Sequence, residues 1–195
     1  MRVIAGRAKG TRLNSVPGLS TRPTGDRVKE ALFNILGSAV RDSAFLDLYA
    51  GSGSIGLEAL SRGAHFVVWV DSSSACTGQI RANLQKTHLE GGVIYTNDVF
   101  RALVQLNGRG QQFDFVFLDP PYDQGLVRKT LEQVAGLDIL KKDGIIIAEA
   151  SKKEEAPLDV SKLCLERTQH YGDTKLLFYS LRGTCYENRC LSRDL

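Results

Sequence analysis

The 195-residue sequence has no apolar run long enough to cross a bilayer. A span needs roughly 18 unbroken apolar residues, and the opening MRVIAGRAKG also lacks the apolar centre of a secretory leader. Both absences predict a cytoplasmic protein. Cysteine is sparse: Cys76, Cys164, Cys185 and Cys190 show no C-x-x-C spacing. That pattern argues against a disulfide framework and against a zinc site, and it suits a reducing compartment. No metal ligand set is expected, and the pair in the polar tail GTCYENRCLSRDL reads as incidental. Internal repeats and low-complexity tracts are absent too. What remains, 43% hydrophobic residues over this length, is enough for one sizeable core and too little for two full domains.

Charge is unevenly placed. Residues 1–29 carry Arg2, Arg7, Lys9, Arg12, Arg22, Arg27 and Lys29 against Asp26 alone, a net of +6 in a chain whose total is +3. The other 166 residues are therefore at −3. A basic N-terminal segment of this kind is an electrostatic footprint for a polyanion, and its plain alternative is a solvated face. Glycines and prolines punctuate residues 2–23, which read as an extended arm or hairpin ahead of the core.

From Val28 the apolar positions Val28, Ala31, Leu32, Ile35 and Leu36 have helical spacing, with Thr24 as a cap, Asp26 in the first turn and Gly37 at the end. Short apolar runs (AFLDLYA, HFVVWVD, GVIYTND, FDFVFLD, GIIIAEA) then alternate with helical patterns. Continuous apolar strands separated by helices predict an α/β fold, a mostly parallel sheet covered on both faces. After Pro157 two consecutive strands flank Gly172-Asp173, so the sheet should end in an antiparallel hairpin. The organisation expected is an arm over residues 1–23, a main domain over 24–182 and a polar tail over 183–195.

DLYAGSGSIGLEAL places Gly51, Gly53 and Gly56 in a G-x-G-x-x-G array between a strand and a helix. Glycines there let the backbone approach a ligand, and the helix start offers N–H groups to it. Asp71, 20 residues after Gly51, ends the next strand, where it can bond two ribose hydroxyls. These features indicate a bound nucleoside and leave NAD and S-adenosylmethionine both open. Each residue has a plain alternative: Gly56 can serve helix–strand packing, Asp47 can cap a turn, and Asp98 can be a helix N-cap rather than a partner for adenine. Tyr171 and Lys175 form a Y-x-x-x-K, but strand-like flanks keep them from sharing a helical face.

FDFVFLDPPYDQG separates the two cofactors. A buried strand ends at Asp119, beyond which Pro120 and Pro121 contribute no N–H. Carboxylate and carbonyls form an acceptor-only rim, which suits a substrate that donates, namely an amino group. The lone pair of a base's exocyclic amine is delocalised into the ring, so hydrogen bonds to Asp119 and the Pro120 carbonyl must bias it toward attack and stabilise the positive charge that develops. Tyr122 offers a face on which a base can stack, worth roughly 1–3 kcal/mol.

These residues resemble class I S-adenosylmethionine-dependent methyltransferases with an [N/D]-P-P-[Y/F] motif. TRPTGDRVKEALFNIL, FLDLYAGSGSIGLEALSRGA, FLDPPY and YGDTKLLFY, in that order, are similar to the RsmD family from about Arg2 to Leu181. The resemblance implies a Rossmann-like seven-stranded sheet with a reversed last strand. It also implies methylation of guanine N2 in 16S rRNA, of the guanine 966 type, within the small ribosomal subunit or an assembly intermediate; apart from the resemblance, a monomer is expected. Asp47, Gly51, Ser52 and Gly53 would then contact the methionine end of the cofactor, Asp71 the ribose and Asp98 the adenine. Thr24 and Asp26 would close over it. Asp119, Pro120, Pro121 and Tyr122 would hold the guanine amine, and Arg7, Lys9, Arg12 and Arg22 would meet RNA phosphates. Two departures stand out: Asp71 where relatives often have Glu, shorter by one methylene, and Ala150 where a histidine often follows Glu149. Two other readings stay open, an adenine-N6 methyltransferase on DNA or RNA and a non-catalytic ribosome-assembly factor.

Overall fold

The computed structural model describes residues 1–16, 25–122 and 124–183. In chain order the helices are α1 (Asp26–Leu36), α2 (Ser54–Ser61), α3 (Ser74–Thr87), α4 (Val99–Gly108) and α5 (Leu126–Gly136). The strands are β1 (Ala44–Leu48), β2 (Phe66–Asp71), β3 (Gly92–Thr96), β4 (Phe113–Leu118), β5 (Leu140–Ser151), β6 (Asp159–Val160), β7 (Leu163–Tyr171) and β8 (Thr174–Leu181). They form one sheet in the order β3-β2-β1-β4-β5-β8-β7-β6. The first five run parallel, and β8, β7 and β6 are antiparallel additions.

The central strands are unbroken apolar runs because both faces of the sheet are covered. Alternate residues of β1 go to opposite sides: Ala44, Leu46 and Leu48 pack with residues of α4 and α5, and Phe45 packs with residues of α1, α2 and α3. α1 buries Leu32, Phe33, Ile35 and Leu36 and stops at Gly37, whose φ of 55° terminates it. Its N-cap is Gly25, with no side-chain capping bond. The expected cap, Thr24, lies outside the described residues, as do Arg22, Cys185 and Cys190.

Among the described residues the sheet has eight strands, where the resemblance implied seven. The addition is β6, two residues paired with the edge of β7, too short to show any periodicity. The hairpin expected around Gly172-Asp173 is present, with Tyr171 opposite Thr174. Tyr171 and Lys175 therefore lie on opposing strands, and the Lys175 ammonium donates to the Glu154 carbonyl.

Residues 1–16 fold back on themselves, closed by an antiparallel bridge between Arg2 and Arg12, and they dock on the molecule. Val3, Ala8 and Leu13 join the cluster of α1, α2 and α3. Gly6, at φ +84°, lies so close to α2 that an added Cβ would fall 1.8 Å from the Ser61 carbonyl oxygen. Glu58 of α2 is fully buried and accepts from the Ile4 and Ala5 amides at 2.7 and 3.0 Å and from Arg62 at 2.8 Å. Lys29 completes this cluster, 3.6 Å from Glu58 and donating to the Arg2 carbonyl at 2.5 Å. Lys29 is 0% exposed, and burial pushes its pKa down despite the adjacent Glu58. The basic footprint counted in the sequence therefore loses Lys29, whose charge is spent inside the fold.

Candidate active site

Leu48 of β1 is in register with Val70 on one side and with Leu118 on the other. Tyr49, Asp71 and Asp119 consequently emerge side by side at one edge of the sheet. The connections reverse direction here, β2 and β3 to one side of β1, β4 and β5 to the other. Open α/β sheets bind ligands at such a switch point, because the diverging loops leave a crevice.

The chain leaves β1 through Tyr49 in the left-handed region, φ 57°, with its hydroxyl 2.8 Å from the buried Thr130 hydroxyl. Gly51 follows at φ 54° and donates its N–H to Asp71 Oδ2 at 2.8 Å. Gly53, at φ 77°, opens α2 and donates to the Ala50 carbonyl at 2.7 Å. A Cβ on Gly51 would meet nothing within 4 Å, so this part of the loop faces open space. A Cβ on Gly56 would sit 2.2 Å from Trp69 Nε1. The third glycine therefore serves the packing of α2 on β2.

Asp71 spans two loops, accepting from Gly51 with one oxygen and from the Ser73 amide at 2.8 Å with the other. Asp47 is 2% exposed and accepts from the Gly56 amide at 3.0 Å. Burial pushes its carboxyl up to about 8, and the turn-capping alternative describes its contact here. Asp98 is exposed and caps α4, accepting from the Phe100 and Arg101 amides at 3.1 Å each. Ser52 touches the arm, its hydroxyl 3.6 Å from the Met1 sulfur. Asp26 is also tied to the arm, accepting from the Arg2 amide at 3.4 Å.

At the same sheet edge, Asp119 is half-buried, Pro120 is buried, and Pro121 and Tyr122 are exposed. Tyr122 donates its hydroxyl hydrogen to Glu149 Oε1 at 3.3 Å. Its partial burial pushes the phenol up to about 12, so it is a neutral donor at physiological pH. Tyr122 is 39% exposed, so part of the residue is open to solvent.

On the arm, Lys9 and Arg12 are exposed. Arg7 is exposed too, but its guanidinium donates to the Leu60 carbonyl at 3.3 Å and its amide to the Ser61 carbonyl at 2.8 Å, so part of its hydrogen-bonding capacity serves docking. Tyr49, Glu58 and Asn83 were not singled out from the sequence, and Glu149 was named there only for the residue that follows it.

Residues 1–180 match the family model described as conserved hypothetical protein 95. A Bacillus subtilis (strain 168) chain, YlbH, named provisionally as an rRNA methyltransferase, is 40% identical over 184 residues, covering 94% of this chain and all of that one. The ribosomal RNA small subunit methyltransferase D of Haemophilus influenzae is 37% identical over 154 residues, 78% of this chain and 79% of its own. Among solved structures, Escherichia coli yhhF, named provisionally as a methyltransferase, superposes with a TM-score of 0.79 at 31% identity, covering 93% of this chain and 97% of that one. The fold is that of the class I methyltransferases.

Proposed function

This chain belongs to the family described as conserved hypothetical protein 95, the RsmD family to which its motifs point, and from that premise we propose that it methylates the exocyclic N2 of a guanine in 16S rRNA of the small ribosomal subunit. The observation that supports the reading is the register of Leu48 with Leu118, which brings the strand ends that lead into the glycine loop and into Asp119-Pro120-Pro121-Tyr122 to the same edge of the sheet.

The residues fit an S-adenosyl cofactor. Gly51 leaves the loop face open, and the Asp71 carboxylate retains lone pairs beyond its two amide bonds for ribose hydroxyls. Gly51, Ser52 and Gly53 would line the methionine portion, Asp98 the adenine edge, and Thr24 with Asp26 the outer side. When bound, S-adenosylmethionine would supply an electrophilic methyl group, keep the electron pair of the broken sulfur–methyl bond, and leave as S-adenosylhomocysteine. Asp119 and the Pro120 carbonyl accept the two N–H bonds of the guanine amine and orient its lone pair. As nitrogen gains carbon and positive charge, these acceptors stabilise the cation, and one proton passes to Asp119 or to water. Tyr122, held by Glu149, stacks on the base. Lys9, Arg12 and the remaining capacity of Arg7 bind phosphates, together with Arg22.

The test is transfer of labelled methyl to unmodified small subunits and to naked 16S rRNA, followed by nucleoside identification. N2-methylguanosine is expected. N6-methyladenosine would move the target to adenine, and cofactor binding without transfer to either substrate would favour an assembly factor.

A further inference from the structure

Asn83, in the middle of α3, is 0% exposed although its side chain is an amide. A buried amide must be fully partnered or it costs free energy. Its Oδ1 accepts from the Asn14 amide at 2.9 Å and from Gln79 Nε2 at 3.3 Å. Its Nδ2 donates to the Asn14 carbonyl at 3.0 Å and to the Ser52 carbonyl at 3.0 Å. One side chain thus grips both main-chain groups of Asn14, as a neighbouring strand would, and with its remaining hydrogen holds the peptide between Gly51 and Gly53.

That peptide needs outside support. It lies between two glycines at positive φ, the residues with most backbone freedom to lose. Asp71 pins the Gly51 amide and Ala50 the Gly53 amide, but the Ser52 carbonyl is directed by Asn83. Asn14 closes the arm that carries Lys9 and Arg12, and its side-chain oxygen accepts from Lys86 of α3 at 3.2 Å. The arm and the loop therefore meet on the Asn83 amide, while Lys86 holds the Asn14 side chain beside it.

We propose that Asn83 is a positioning residue that couples the basic arm to the glycine loop, so that RNA held on the arm and an S-adenosyl ligand on the loop tighten each other's binding. The inference rests on the cofactor and RNA assignments above. An arm ordered by a polyanion holds Asn14, Asn14 holds Asn83, and Asn83 presents a loop already in its binding conformation. Linkage makes the effect reciprocal.

The experiment measures S-adenosylhomocysteine affinity by calorimetry with and without poly(U), which contains no guanine and leaves the amine site empty. The native chain should bind S-adenosylhomocysteine about fivefold tighter with poly(U) present, and poly(U) tighter by the same factor with S-adenosylhomocysteine. Asn83→Ala should weaken S-adenosylhomocysteine binding and bring both ratios to about one. Asn14→Pro removes the amide that Oδ1 accepts while leaving the Ser52 bond, and should also abolish the ratio. It decides the question if Asn83→Ala fails to unfold cooperatively. Emission of Trp69, whose Nε1 donates to the Gly53 carbonyl at 3.3 Å, should shift on adding poly(U) to the ligand-free native chain and not to Asn83→Ala. A ratio of one in the native chain, absence of poly(U) binding, or a native ratio preserved in both variants overturns the coupling. A native chain that binds no S-adenosylhomocysteine overturns the proposed function instead.

Discussion

The Tyr122 hydroxyl donates to Glu149 Oε1 across 3.3 Å, tying the loop after β4 to a buried carboxylate near the end of β5. Tyr122→Phe keeps the ring and loses this tether, and should lower kcat/KM for methyl transfer a few-fold. Tyr122→Ala also loses the proposed stacking face, worth about 1–3 kcal/mol or roughly fivefold to 150-fold. Steady-state kinetics on both variants separates the two contributions, and equal losses would place the role in the hydroxyl.

Asp119→Ala removes the carboxyl group proposed to accept from the guanine amine. Transfer should fall by about two to three orders of magnitude, as when one preorganised partner of a developing charge is lost. S-adenosylhomocysteine affinity should stay largely intact by calorimetry. Asp119→Asn, which keeps a carbonyl acceptor, should recover part of the rate. Transfer unchanged in Asp119→Ala would end the polarisation role.

Two of the loop glycines, Gly51 and Gly56, should respond differently to alanine. At Gly51 the cost is conformational, about 1–2 kcal/mol of stability, while a methyl group in the open crevice should cut cofactor affinity at least tenfold. At Gly56 the methyl would collide with Trp69 and Val67, and overpacking of this kind costs about 1–3 kcal/mol through shifted neighbours. Thermal unfolding beside ligand calorimetry tells them apart.

Asp47 predicts a pH dependence of stability. Its carboxyl, raised from 3.8 to about 8 by burial, stays protonated in the folded chain where the unfolded chain has released the proton. Stability should therefore decline as pH rises through this interval and level off above it, by an amount on the order of a few kcal/mol. Asp47→Asn, neutral at every pH, should flatten that part of the profile in urea titrations at pH 5 and pH 8.

Replacing Lys9 and Arg12 by Ala should weaken RNA binding and reduce the slope of log affinity against log salt by about 1.4, taking about 0.7 per single-strand phosphate contact. Lys29→Ala should act elsewhere. It leaves the buried Glu58 short of a partner, a change that costs about 3–5 kcal/mol when a buried pair is broken. The salt slope should not move.

Much of the fold was legible because its signals are local. Apolar runs such as FDFVFLD and HFVVWVD show strands buried on both faces, and the helix SACTGQIRANLQKT spans the residues that α3 occupies. The acceptor-only character of Asp119-Pro120-Pro121 follows from covalent structure, since proline has no N–H wherever it lies. The two-residue β6 was not legible because it has no period, and the left-handed Tyr49 was not because nothing in a tyrosine announces a positive φ.

Composition and local chemistry thus determined the class of fold, the positions of the glycine loop and the Asp-Pro-Pro-Tyr stretch, and the kind of group each could bind. Only the tertiary structure decided which charges remain available. Lys29 and Glu58 count in a sequence as any acid and base do, yet burial joins them and removes them from the surface. It also decided what connects distant segments, since Asn14, Ser52 and Asn83 are separated in the chain and meet only where α3 packs beside the loop. Hydrogen bonds act over about 3 Å, and which atoms come that close is settled by packing.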